Sequence, residues 1–158
     1  MIKRLSIKDA PIINKIINEA ASAYKGVIPG DCYHVPYMPQ EELDGEMASM
    51  TFFGWAENGK LVGVMGLQPV KDVTLIRHAY VLPALQRKGI GTELLKHVMK
   101  ITRTGRLLVG TWADATWGVS FYQKNGFTLR PDKDELLVRY WNVPPRQIET
   151  SVVLEINL

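Results

Sequence analysis

Cysteine is almost missing from this chain: Cys32 stands alone among 158 residues, so no intramolecular disulfide can form. No cluster of cysteine and histidine has the spacing of a zinc site either, and no metal is expected. Such cysteine usage fits a reducing, cytoplasmic compartment. Long apolar runs are lacking too. Nowhere do about 18 apolar residues stand together, as a membrane span requires, and the opening residues MIKRLSIKDAPII have neither the apolar core nor the cleavage site of a signal peptide. No membrane partner is expected. Charge of one sign is not in large excess, since 19 basic against 16 acidic residues leave a net +3. So small and scattered a surplus gives no ground for a nucleic-acid partner. Repeats, low-complexity tracts and flexible linkers are absent as well. What remains, 46% hydrophobic residues in 158, suffices for one buried core, so residues 1–158 are read as a single domain.

Hydrophobic periodicity orders the elements. Ile2 to Ile7 reads as a short strand, after which Asp9 can cap a helix that carries Pro11 in its first turn and Ile12, Ile13, Ile16, Ile17, Ala20 and Ala21 on one face. From Tyr24 to Pro39, prolines and glycines interleave with Tyr24, Tyr33, His34 and Tyr37 without a period, which predicts an ordered loop able to overhang a site. A helix is expected from Gln40 to Met50. Strands at Thr51 to Glu57, Lys60 to Val70 and Val73 to Leu82, broken at Asn58-Gly59 and Lys71-Asp72, predict an antiparallel meander. Next come a helical stripe ending near Gly105, a buried strand at Leu107 to Trp112, a helix from Ala115 to Asn125 stopped by Gly126, and a strand at Phe127 to Leu129. Strand, helix, strand implies a right-handed parallel crossover. Asp132 with Glu135 looks like a capping box, opening a helix that Pro144-Pro145 ends. The final stretch alternates as a strand, with Ile148, Thr150, Val152, Leu154, Ile156 and Leu158 inward and Gln147, Glu149, Ser151, Glu155 and Asn157 on a wetter face. The fold class is therefore α/β, a mixed and mostly antiparallel sheet with flanking helices.

The stretch Gln86-Arg87-Lys88-Gly89-Ile90-Gly91-Thr92 is an odd way to open a helix. A helix N-terminus has amides without intrahelical partners and the positive end of the dipole, so a phosphate placed there gains charge-assisted hydrogen bonds. Gly89 and Gly91 remove side chains that would keep an anion off the backbone, while Arg87 and Lys88 add attraction at range. An ordinary solvated turn is the alternative. The familiar nucleotide motifs do not fit: GxxxxGK[ST] is absent, and Leu94 stands where GxGxxG needs its third glycine.

Residues 81 to 95, VLPALQRKGIGTELL, resemble the signature of the GNAT superfamily of N-acetyltransferases, whose Q/R-x-x-G-x-G/A motif holds the pyrophosphate of acetyl-coenzyme A. A second block, FYQKNGF at 121 to 127, is similar to the family's F-Y-x-K-x-G-F. The resemblance covers nearly the whole chain, and it implies that the fourth and fifth strands run parallel and splay apart. It implies that the amides of Gln86, Arg87, Lys88, Gly89, Ile90, Gly91 and Thr92 hold the phosphates of acetyl-CoA. Ala79, Tyr80 and Val81 would pair with the pantetheine arm, and an amide near Val81, where the strand is expected to bulge, would stabilise the oxyanion.

Acyl transfer from a thioester needs an uncharged amine, donors for the carbonyl oxygen and a proton for the departing thiolate. By the resemblance Tyr122 is the acid; on its helix it shares a face with Gly118 and Val119, while Trp117, Phe121 and Phe127 are assigned to packing. The base is open among Glu149, Asp114 and His78, with relay through water beside them. Lys124 is either a phosphate contact or solvated. The reading is an N-acetyltransferase acting by direct transfer in a ternary complex on an unidentified amine, as Cys32 offers no acyl-enzyme constellation. The alternative is a non-catalytic acyl-CoA-binding module or sensor. Asp31, Glu41 and Glu149 with Tyr33, Tyr37, Trp55 and Trp112 would suit a cationic acceptor, and homodimerisation is open for such a family.

Overall fold

Turn chemistry and alternation give the first half of the chain its meander. In this computed structural model, which describes all residues 1–158, the elements are β1 (Ile2–Arg4), α1 (Ala10–Ala21), α2 (Gln40–Glu46), β2 (Thr51–Glu57), β3 (Lys60–Val70), β4 (Val73–Val81), α3 (Ile90–Ile101), β5 (Arg106–Trp112), α4 (Thr116–Lys124), β6 (Thr128–Leu129), α5 (Lys133–Tyr140), α6 (Pro145–Thr150) and β7 (Ser151–Asn157). They build one seven-stranded sheet in the order β1-β2-β3-β4-β5-β7-β6, with β4 and β5 parallel and the other neighbours antiparallel. Asn58 and Gly59, both at positive φ (50° and 78°), make the tight turn between β2 and β3.

Alternation along the strands feeds two layers of core. On one face Phe53, Met65, Ile76, Val109 and Leu154 pack with Leu94, Leu95 and Val98 of α3 and Tyr122 of α4. On the other, Phe52 and Val64 pack with Ile13, Ile16 and Ile17 of α1 and Leu43 of α2, and farther along Leu75, Leu108 and Val153 pack with Leu136 and Leu137 of α5. The central strands are thus covered on both sides. The loop between α1 and α2 is fastened rather than free. Met38 is buried, its carbonyl accepts from the side-chain amides of Asn14 (2.8 Å) and Asn18 (3.0 Å), and its N–H donates to Asn18 Oδ1 at 2.8 Å.

Several boundaries differ from the sequence expectation. The first strand stops at Arg4 because Ser6 and Asp9 close a local turn, the Ser6 amide donating to Asp9 Oδ2 at 2.8 Å. The helix begun at Gln40 ends at Glu46: Gly45 weakens it, and Ser49 folds back onto the Glu46 carbonyl through both its amide (3.0 Å) and its hydroxyl (3.2 Å). No capping box forms at Asp132, whose carboxylate accepts from Arg130 instead, at 3.1 Å. The last strand begins only at Ser151. Pro145 opens α6, because a proline in a first helical turn lacks only an N–H that had no partner there, so Gln147, Ile148 and Glu149 are helical. Nor is the other face of β7 wet. Glu155 is buried, and Arg106 holds it through two nitrogens at 2.8 and 2.9 Å. His97 packs edge-on against Phe53 at 4.8 Å.

Gly66 shows how tightly β3 meets its neighbours. A Cβ there would lie 2.9 Å from the Arg77 carbonyl oxygen and 3.1 Å from the Phe52 ring. Gly66→Ala should therefore cost roughly 1–3 kcal/mol in urea unfolding. Gly105→Ala, where a Cβ meets nothing within 4 Å, should leave the midpoint unchanged; equal midpoints for the two variants would refute the packing account.

Candidate active site

The site begins where two strands part. β4 and β5 pair only at Thr74 with Leu107, Leu75 with Leu108 and Ile76 with Val109. Beyond Val109, β5 runs on beside β7 as far as Trp112 opposite Ser151. β4 meanwhile takes up one residue too many. Its register with β3 passes from Gly66 opposite Arg77 to Val64 opposite Tyr80, and His78 sits at φ 53° in the middle. The bulge thus lies at His78, ahead of the expected position near Val81. Because a bulge interrupts alternation, Arg77 and His78 both face α2, while Ala79 and Val81 return to the α3 side and Tyr80 to the α1 side. The parted strands leave a cleft of about 700 Å³, whose walls include Ala79, Tyr80, Val81, Thr111, Gly118 and Tyr122.

At one end of this cleft α3 begins. Gln86 is extended, Arg87 turns left-handed at φ 65°, and Gly89 does so again at φ 84° as the residue before the helix, with no side chain capping it. The first backbone bond of the helix is from the Glu93 amide to the Gly89 carbonyl at 3.0 Å, and the amides of Arg87, Lys88, Gly89, Ile90, Gly91 and Thr92 have no acceptor in the protein. Bare amides at the positive end of a helix are an anion site by construction. Gln86, Arg87 and Gly91 line the cleft, whereas Ile90 turns its side chain into the core. Gln86 also reaches back, its side-chain amide donating to the Val81 carbonyl at 3.0 Å. The two glycines differ in kind: Gly89 serves a left-handed turn, while a Cβ on Gly91 would touch the Phe121 ring at 3.5 Å.

From α4, Tyr122 enters the cleft wall with its ring edge-on to Phe121 (5.1 Å) and Phe127 (5.3 Å). Its hydroxyl has no protein partner, and burial pushes the phenol well above its ordinary value of 10.0, so it stays protonated. Phe127 is a packing residue as expected, but Trp117 is not. It is 48% exposed, lines the cleft and stacks on Tyr24 at 6.0 Å across the mouth. Tyr24 in turn meets Tyr80, the hydroxyls 3.4 Å apart, and Tyr37, whose hydroxyl accepts from Trp112 Nε1 at 2.7 Å. Lys124 and Arg87 both line the cleft.

The three residues open for the base separate clearly. Glu149 lies on α6 rather than on a strand, outside the cleft wall, and accepts from Arg146 at 3.3 Å. Asp114 is exposed and also outside, and Asp31 is held by the same Arg146 at 2.8 and 3.1 Å. No carboxylate lines the cleft. His78 does line it, and its Nε2 stands 2.6 Å from Glu46 Oε2, with Arg77 on the other carboxylate oxygen at 3.2 Å. Burial alone would raise the Glu46 carboxyl, but the hydrogen bond from His78 and the nearby Arg77 guanidinium carry it below the ordinary carboxylate value. Sequence reading missed Glu46 and Trp117 as lining or supporting residues, while Tyr24 belongs to the loop expected to overhang a site. Trp117 beside the FYQKNGF block was the one available signal.

Comparison with known proteins agrees with this geometry. The chain is 29% identical over 157 residues to the UPF0157 protein YqkA of Bacillus subtilis (strain 168), an alignment that covers 94% of the chain and 45% of that relative, so it spans about half the relative's length. A PaiA N-acetyltransferase from Thermoplasma acidophilum, solved in complex with coenzyme A, matches with a TM-score of 0.76 at 20% identity, over 100% of this chain and 99% of the other. A GNAT family acetyltransferase from Elizabethkingia anophelis with acetyl-CoA bound is 27% identical over 76% of this chain and 84% of its own, with a TM-score of 0.61. The Acetyltransferase (GNAT) family profile matches residues 13–127, a span that takes in the bare start of α3, the parted strands and Tyr122: the chain belongs to the GNAT family of acetyltransferases, which use acetyl-coenzyme A.

Proposed function

We propose that the protein is an N-acetyltransferase, moving an acetyl group from acetyl-CoA to a primary amine by direct transfer in a ternary complex. The observation that carries this reading is the run of unpartnered amides from Arg87 to Thr92, opening into the same cleft that Tyr122 lines. Those amides suit the phosphates, and Arg87 and Lys124 add positive charge to the cleft. Between the diverging strands, the edge of β4 at Ala79 to Val81 suits an extended amide-bearing arm, which would add to it as a strand does. Tyr122, protonated and without a protein partner, suits proton donation to a thiolate leaving group. Cys32 lies outside the cleft wall, which favours direct transfer over a covalent intermediate.

Two substitutions separate binding from transfer. Gly91→Val should weaken coenzyme A binding at least about tenfold by calorimetry, while thermal unfolding shifts little, because the first methyl group meets only an ordinary contact with Phe121. Parallel losses of affinity and stability would return the motif to an ordinary turn. Tyr122→Phe should do the reverse, lowering kcat about a hundredfold with coenzyme A affinity kept. Turnover is read as free thiol released with a panel of polyamines, amino acids, aminoglycosides and peptide N-termini. An unchanged rate would remove the acid role, and coenzyme A binding with no acceptor in the panel would favour the acyl-CoA sensor.

A further inference from the structure

We propose that His78 is the general base that takes the proton of the acceptor amine, and that Glu46 is the positioning residue that fixes which ring nitrogen does so. The inference rests on the transferase reading above. A carboxylate only accepts hydrogen bonds, so at 2.6 Å from Glu46 the Nε2 of His78 carries a proton, and in the neutral ring it is Nδ1 that keeps the lone pair. Nδ1 has no protein partner. The ring lies parallel to Phe52, 8° between planes with centroids 6.2 Å apart. Glu46 is itself held, by Arg77 at 3.2 Å, and Arg77 by Gln68 at 2.9 Å. The imidazole is thus oriented by a carboxylate that is oriented by a guanidinium.

Position supports the role. The bulge turns His78 toward the face that carries Tyr24 and Tyr80, whereas Tyr122 reaches the cleft from the α4 side. Base and acid therefore meet the cleft from opposite faces of the sheet. The backbone also bears a cost here. A non-glycine residue at φ 53° is disfavoured by roughly 1–2 kcal/mol, and asparagine or glycine would relieve it. That cost is retained at the residue that lines the cleft.

The proton account closes. An ammonium acceptor sheds two protons on the way to an amide: His78 takes the first and passes it to solvent, and the second makes good the proton that Tyr122 gives to the departing sulfur. The carbon–nitrogen bond forms, the carbon–sulfur bond breaks, and the products are amide, thiol and one released proton.

His78→Gly tests the assignment with little risk to the fold, since glycine adopts this φ freely. Its melting temperature and coenzyme A affinity should match or exceed those of the parent, while kcat with an amine found in the panel falls about a hundredfold and KM for acetyl-CoA holds. Added imidazole should restore a measurable part of the rate. His78→Asn, which keeps bulk and tolerates the same backbone, should lose the rate without rescue. Without any turnover, nitrogen-15 NMR of the free protein should show neutral His78 protonated at Nε2, a preference that Glu46→Gln abolishes. Full activity in His78→Gly, failed rescue in a folded variant that still binds coenzyme A, or a proton on Nδ1 would overturn the proposal. If the parent chain acetylates no amine, the transferase reading fails first; if it does and His78→Gly is equally fast, only the base is lost.

Discussion

The active face of this protein depends on one surplus residue in β4. Between Gly66 and Val64 of β3, only Met65 stands where β4 runs through His78 and Ala79, and the strand absorbs the excess by bulging. From that point β4 no longer follows β5, and its edge becomes a wall instead of a ladder. Alternation is reset as well, so Tyr80 faces α1 and Val81 faces α3, where an unbroken strand would have placed them the other way round. A single irregularity thus opens the cleft and decides which side chains line it.

The two sides of the sheet then take different work. On the α3 side the chain offers backbone: a helix start without a cap, two left-handed residues and a glycine in its first turn that faces the Phe121 ring. On the α1 side it offers side chains, with Tyr24, Tyr37 and Tyr80 in mutual contact and Glu46 holding His78. Backbone amides can hold an anion only where side chains leave them bare, so that half of the site depends on Gly89 and Gly91 rather than on particular polar groups. The other half has only side chains to work with. The loop above it is tied down by Asn14 and Asn18 on α1, which gives its aromatic residues a fixed frame.

This division also explains what could be read in the sequence. The meander, the crossover through α3 and the bare helix start were legible because glycine, turn dipeptides and hydrophobic period act locally, and the GNAT resemblance rested on those same residues. Tyr122 was legible through the FYQKNGF block. Glu46 was not, because its partner is distant in sequence and the bulge that turns His78 toward it leaves no residue signature. Glu149 misled for a related reason. Residues 147 to 158 alternate as a strand should, but Pro145 pre-sets a helical turn, and the apparent alternation of Gln147 to Thr150 is overridden. Glu155 misled in the opposite sense: a charged residue in an alternating strand reads as exposed, and only the folded sheet brings Arg106 against it.

The charges along the cleft have a kinetic meaning. Arg87 and Lys124 line it, exposed Lys88 follows Arg87, and no carboxylate lines the walls. Exposed cations act at range and are screened by salt, whereas amides at a helix start act on contact. On the proposed reading, attraction falls to cations on the loop before α3 and on α4, and retention to the amides at the start of α3. Rising ionic strength would slow the arrival of a polyanionic ligand far more than it hastens departure, so the encounter belongs to the side chains and the residence time to the backbone.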